Sequence, residues 1–173
     1  MIRPIKSYVA LNLTFTIIAL LVLCRIAFLY FSPVLLVNLT PSIPKGFYYI
    51  STEKKPKKGD FVAFHLPKKI RESLGGRSWL HPTYPFIKKI GAISKDLICR
   101  EGNEITINTT QLFLASKKDS QELGLPTWSG CVEIKADFFL PIGQHSSSFD
   151  GRYFGQISNK QIIGQATPLL TWQ

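Results

Sequence analysis

Histidine, cysteine and methionine are scarce in this chain of 173 residues, at three, three and one copies. The gaps exclude several chemistries. No Cys-x-x-Cys or His-x-x-x-His spacing occurs, so a zinc site lacks its ligands and no metal or cofactor is expected. No Gly-x-Ser-x-Gly elbow is present. Of His65, His81 and His145, only His145 in "GQHSSSFDGRYFG" has hydroxyls and a carboxylate nearby, and its serine cluster reads as loop, which disfavours a Ser-His-Asp triad. Acid is short as well: 11 Asp and Glu stand against 21 Lys and Arg, a net charge of +10. The densest basic runs, "EKKPKKGD" (53–60) and "PKKIRE" (67–72), are not interleaved with aromatic stacking residues, so nucleic acid is not an expected partner. They read as a solvated face near anionic lipid, where each lysine adds about 1 kcal/mol of attraction.

Charge is missing altogether from Ser7 to Cys24, and the apolar character resumes after Arg25 in "IAFLYFSPVLLV". A bilayer is crossed by a helix of ~20 apolar residues. Residues 8–30 are therefore expected to form a transmembrane helix, with Arg25 near one end snorkelling to the headgroups. No Ala-x-Ala pattern follows, which argues against a cleaved signal peptide. Arg3 and Lys6 precede the run, so residues 1–7 are expected in the cytoplasm and 31–173 outside a bacterial inner membrane, in the periplasm.

The outer segment reads as mainly β, a single antiparallel domain. "GDFVAFHL" (59–66), "PFIKKIGAI" (85–93), "DLICREG" (96–102), "NEITIN" (103–108), "CVEIKADFFLPIG" (131–143), "RYFGQI" (152–157) and "IIGQATPLL" (162–170) are runs of β-branched and aromatic residues punctuated by Gly, Pro, Asn and Asp. Residues 68–84 read as a polar loop with one helical turn. Cys99 and Cys131 both fall in this domain, where a disulfide persists if the compartment is oxidising, although spacing does not show them to be neighbours.

Just beyond the apolar run, "NLTPSIPKGFYYI" (38–50) boxes Ser42 between Pro41 and Pro44. The stiffened backbone suits either a connecting turn or a held nucleophile. With histidine disfavoured, a neutral lysine is the remaining activator of a serine. Such a lysine needs an apolar setting, because each unit of pKa depression costs about 1.4 kcal/mol. Lys88 and Lys89 in "YPFIKKIGAI" fit best; alternation puts them on opposite faces, and both faces are apolar.

The order of segments resembles the signal peptidase I superfamily of Ser-Lys proteases: Ser42 after an apolar helix, "KKGDFVAF", "FIKKIGAISKDLI", then "SFDGRYFGQISNKQIIGQA". "Ser-x-Pro-x-Gly-x-Tyr", matched by Ser42, Pro44, Gly46 and Tyr48, is similar to the TraF-type conjugative-transfer peptidases within it. The resemblance implies a signal-peptidase-like antiparallel β domain behind one transmembrane helix. It also implies a serine endopeptidase that matures a pilin precursor, in some members by cyclising it. Roles carry over by position: Ser42 as nucleophile, Lys88 as general base, Thr40 with the Ser42 N–H as oxyanion hole, Ser148 orienting the lysine, and Asp150 with Arg152 bracing the site. Two departures stand out: Lys95 replaces a turn glycine, and Gly151 a serine of the last box. A general signal peptidase and a non-catalytic anchored β module are the rival expectations.

Overall fold

A computed structural model describes residues 5–31, 34–81 and 83–172; the side chains of 5–8, 10, 27–31 and 34 lie outside the described set. Two compact units result, Met1–Val34 and Leu35–Gln173.

The first unit is the helix α1 (Ile5–Phe31). Its described side chains are exposed and mostly apolar, from Val9 and Leu11 through the consecutive Leu20, Leu21, Val22 and Leu23 to Ile26, with Asn12, Thr14, Thr16 and Arg25 as the polar members. Thr16 Oγ1 donates to Asn12 C=O at 2.8 Å, one turn back along the helix. Among the described residues no helix is long and apolar enough to cross a membrane. The spanning expectation for 8–30 includes residues whose side chains lie outside the described set, and the described side chains alone fall short of the ~20 that a span needs. Arg3, on which the orientation partly rests, and Pro33 also lie outside the described residues.

The second unit is built of antiparallel strands. β1 (Val34–Asn38), β2 (Lys45–Ser51), β3 (Phe61–Phe64), β4 (Phe86–Ile93), β5 (Leu97–Glu101), β6 (Glu104–Ile107), β7 (Gln111–Leu114), β8 (Gly130–Glu133), β9 (Phe138–Ile142), β10 (Ile157–Ser158) and β11 (Ile162–Trp172) are joined by two short helices, α2 (Lys68–Ser73) and α3 (Gly151–Phe154). A seven-stranded sheet has the order β1-β2-β11-β3-β4-β9-β10, and a four-stranded sheet the order β7-β6-β5-β8. The long β11 pairs with both β2 and β3; its proline, Pro168, sits where the register shifts, as a residue without an N–H must in a paired strand.

Burial explains the periodicity. Val62, Phe64, Phe139 and Tyr153 fill one cluster, Tyr48, Ile50, Ala63 and Ile87 a second, and Ile98, Ile107, Leu140 and Ile142 a third. Strand β4 has side chains in the first two clusters, Ile90 and Ile87, and Ala92 in the third, so neither of its faces is free of the core.

Several expectations need correction. "RYFGQI" is not one strand: Asp150 caps a helical turn at 151–154 by accepting from the Arg152 N–H, and only Ile157–Ser158 pairs with β9. "CVEIKADFFLPIG" divides into β8 and β9 at a turn where Asp137 has φ +61°. Strands β1, β2 and β7 lie outside the runs expected to be strands. The helical turn foreseen in 68–84 is α2.

Cys99 and Cys131 face each other across the β5–β8 pair and are joined as a disulfide. Closing a chain segment of that length restricts the unfolded state by about 3–4 kcal/mol. Cys24, on α1, is free and exposed.

Candidate active site

The turn at Ser42 is organised by a side chain that the sequence did not single out. Asn38, the last residue of β1, is buried, and its Nδ2 donates to the carbonyls of Thr40, Ile43 and Pro44 at 2.8, 3.1 and 3.1 Å. Its Oδ1 accepts from the Thr40 N–H and Oγ1–H at 3.3 and 2.9 Å. Pro44 C=O also accepts from Tyr48 Oη at 2.6 Å, which supplies a physical reason for the tyrosine in Ser-x-Pro-x-Gly-x-Tyr. With the Thr40, Ile43 and Pro44 carbonyls thus satisfied, Ser42 is held in one place, 5% exposed.

Thr40 Oγ1 lies 2.9 Å from Ser42 Oγ. Threonine has one hydroxyl proton, and here it goes to Asn38, so Ser42 is the donor of this pair. The proton that a nucleophile must lose therefore points at Thr40 in the free protein.

Lys88 comes from the middle of β4, opposite Val62 of β3. It is 4% exposed, and among the described residues it makes no ion pair. Its Nζ donates to Ser148 Oγ at 2.8 Å. It also lies 5.9 Å from the Phe86 ring centre, at the outer reach of a cation–π contact. Burial lowers its pKa from 10.5 to about 8, against the attraction of Asp150 and with the help of Arg152. Lys89, its rival in the sequence, pairs with Phe61 and Ile142 and is only half-buried.

Ser148 is set by the segment that follows β9. Arg152 donates six side-chain hydrogen bonds: two to Asp150, at 2.9 and 2.8 Å, and four to the carbonyls of Leu114, His145, Ser146 and Ser148. Asp150 is fully buried and accepts in addition from the Gly143 N–H at 2.7 Å. The same segment touches the serine turn, since the Gln144 N–H donates to Ser42 C=O at 2.6 Å. Gly143 is required for this approach, because a Cβ there would stand 2.0 Å from Ser148 Oγ and 3.0 Å from Ser42 C=O. Gly151, the departure noted above, has the same cause: a Cβ would meet Leu140 Cδ1 at 2.5 Å and Pro141 C=O at 2.7 Å. Lys95, the other departure, adopts φ +75°, so the glycine-type turn is retained at a steric cost of about 1–2 kcal/mol. His145, by contrast, turns its exposed ring to Ser147 of its own loop.

Ser42, Thr40, Lys88 and Ser148 all line one cavity of about 690 Å³; Asp150 and Arg152 stand behind it. Among the described residues no hydrogen bond joins Ser42 to Lys88. The site thus holds a firmly placed hydroxyl and an amine whose pKa burial has lowered to about 8, facing a common space.

Comparison with known proteins adds an independent line. A family model described as signal peptidase, peptidase S26, matches residues 6–172. The chain is 30% identical over 152 residues to the conjugal transfer protein TraF of Agrobacterium fabrum, covering 79% of this chain and 82% of that one. It is 30% identical over 148 residues to a plasmid transfer protein TraF of Escherichia coli, with the same shares covered. A signal peptidase I from Enterococcus faecalis superposes with a TM-score of 0.38 at 15% identity, covering 66% of this chain and 98% of that one.

Proposed function

The chain belongs to the signal peptidase family, peptidase S26, with TraF-type relatives, and from that premise we propose that it is a serine endopeptidase with Ser42 as nucleophile and Lys88 as general base. One observation carries the reading. Lys88 is buried beside Ser148 with no carboxylate bonded to it, in the cavity that Ser42 lines, and burial has brought its pKa to about 8. A lysine in that condition is neutral in a useful fraction near pH 8 and can take a hydroxyl proton.

The proposed steps follow from the contacts. Ser42 Oγ turns from Thr40 to Lys88, gives up its proton to Nζ and attacks the scissile carbonyl. Charge collects on the carbonyl oxygen, where the Ser42 N–H and Thr40 Oγ1–H are the donors; such a donor is worth roughly 3 kcal/mol in the transition state. For Thr40 this means releasing Asn38 Oδ1. Ser148 then receives the ammonium of Lys88, which protonates the leaving amine. The resulting ester is cleared by water, or by an amine of the substrate itself, which joins the new ends into a ring.

The substrate we propose is a pilin precursor or related protein of a conjugative transfer system. Its support is the names of the two relatives, a conjugal and a plasmid transfer protein. We place the domain on the outer side of a bacterial inner membrane, held by α1, and lipid is then a further partner. The many exposed apolar side chains among the described residues of α1 support this, since a helix of that kind needs an apolar surround. Alkaline extraction of membranes tests it: an anchored chain stays with the pellet, and recovery in the supernatant refutes the anchor.

The experiment for the activity is co-expression of the pilin precursor with wild type, Ser42→Ala and Lys88→Ala, read by intact mass. Wild type is expected to shorten the precursor and both variants to leave it whole; processing by either variant overturns the assignment. A product lighter than the linear one by one water identifies cyclisation. The family description also favours a second reading, general removal of secretory signal peptides. Growth of a strain depleted of its own signal peptidase, on expression of this chain, would decide for that reading.

A further inference from the structure

Strand β1 ends the seven-stranded sheet, with β2 as its one neighbour in the order. In an edge strand the N–H and C=O of a single residue point to the same side, and those not used by the neighbour are open to another strand. At Val37 they are occupied. The Val37 N–H donates to Tyr84 Oη at 3.1 Å, and the same Oη donates to Val37 C=O at 2.8 Å. One phenol hydroxyl thus stands in for the peptide groups that a neighbouring strand would offer. We propose that Tyr84 is a latch on this edge: it fills the main-chain slot at Val37 in the free protein and is displaced by the extended backbone of the substrate.

Position supports this. Val37 immediately precedes Asn38, which holds the Ser42 turn, and Tyr84 lies two residues before β4, which carries Lys88. Val37, Tyr84, Ser42 and Lys88 line the same cavity, so a backbone seated at Val37 runs towards the nucleophile. The Tyr84 hydroxyl spans that space from the β4 side to the β1 side.

The latch is hinged at one end. Its main chain is braced, with the Thr83 and Tyr84 N–H groups donating to His81 Nδ1 at 3.4 and 3.1 Å and His81 C=O accepting from Arg71 at 3.1 Å. Tyr84 is 42% exposed, its ring stands edge-to-face with His81 at 6.1 Å, and its hydroxyl is held by the two Val37 contacts. Release is a side-chain rotation into water. The exchange of two hydrogen bonds for two is close to even, so the latch does not forbid substrate. It selects for partners that offer a free N–H and C=O together: an extended peptide does, and a helical segment, whose groups are bonded internally, does not.

The proposal rests on the endopeptidase reading, and its test separates the two. Full-length wild type and Tyr84→Phe, in detergent, are assayed on a fluorogenic peptide spanning the cleavage site of the pilin precursor. Removing the hydroxyl frees the slot, so KM is expected to fall roughly three- to ten-fold with kcat within about twofold. In the absence of peptide, the Val37 amide is expected to exchange with solvent faster in Tyr84→Phe. A raised KM would make the hydroxyl a substrate contact and overturn the latch, as would an unchanged KM or unchanged Val37 exchange while wild type cuts the peptide. If wild type cuts nothing, the endopeptidase reading fails and the latch falls with it.

Discussion

Lys88 and Arg152 are both cations sealed from water, 4% and 2% exposed, and their surroundings differ in kind. Arg152 sits in a cage of oxygen: one carboxylate, Asp150, and four carbonyls. Burial alone would weaken its hold on the proton, but the Asp150 carboxylate outweighs burial and keeps the guanidinium pKa above its ordinary value. Lys88 has one neutral hydroxyl, and burial prevails. The same solvent exclusion therefore makes one cation a permanent brace and the other a group able to trade its proton. The difference lies in the partners, not in the depth.

Exchanging the chemistry of the two cations breaks the comparison most severely. Lys88→Arg keeps a positive charge in the cavity, but guanidinium does not deprotonate in a protein. Processing is expected to fall by roughly 10⁴-fold or more, the scale on which a nucleophile–base unit fails when one member is lost. A time course by intact mass measures it, and retention of more than a tenth of the wild-type rate would remove Lys88 from the role of base.

Deleting each charge in turn gives the next largest effect, with opposite signs. Arg152→Met leaves Asp150 buried without its ion-pair partner and takes a donor from each of four carbonyls, and is expected to destabilise by about 3–5 kcal/mol. Lys88→Met removes a buried cation that makes no ion pair among the described residues, and is expected to stabilise by about 1–3 kcal/mol at pH 7. Denaturant unfolding of the full chain reads both. Equal destabilisation by the two substitutions would show that the cations do not differ as described.

How far this contrast was readable beforehand depends on distance along the chain. The strand carrying Lys88 and the stiff turn at Ser42 are local patterns, and both were visible. Lys88 could not be separated from Lys89 by alternation, because β4 has apolar neighbours on both faces; the family resemblance chose between them, and the register opposite Val62 shows the burial. Asn38 carried no signal, since an asparagine at the end of an apolar run looks like a strand terminus until its side chain is seen spanning the turn. The helical turn at 151–154 is too short to show a 3.6-residue period, so "RYFGQI" reads as a strand from sequence alone. The pairing of Cys99 with Cys131 depends on β5 meeting β8, 32 residues apart. What was missed is what tertiary contact creates.

Titration sharpens the comparison further. The folded pKa of Lys88, about 8, lies below the unfolded value near 10.5. Between those two pH values the unfolded chain binds more protons than the folded one, so stability rises with pH across that window and is lost again as pH falls through about 8. The full change is about 3 kcal/mol. Processing should rise over the same lower limb, with a midpoint near pH 8. Lys88→Met is expected to flatten the rise in stability. A wild-type stability profile that is level from pH 8 to 10.5, or a slope that survives in Lys88→Met, would locate the titration elsewhere.

The smallest effect tests the hydroxyl that, among the described residues, is the hydrogen-bond partner of Lys88. Ser148 Oγ accepts from the Lys88 ammonium, and that bond favours the charged form. Ser148→Ala should therefore do two things at once. It loosens the aim of Nζ, lowering kcat roughly ten- to a hundred-fold with KM little changed, since substrate is not its partner. It also lowers the Lys88 pKa further, so the rising limb of the pH–rate profile moves towards acid. A generally damaged site would lose rate without moving that limb. If the limb stays in place or moves towards alkali while kcat falls, Ser148 acts on the shape of the cavity and not on the lysine, and the contrast with Arg152 would then rest on burial alone.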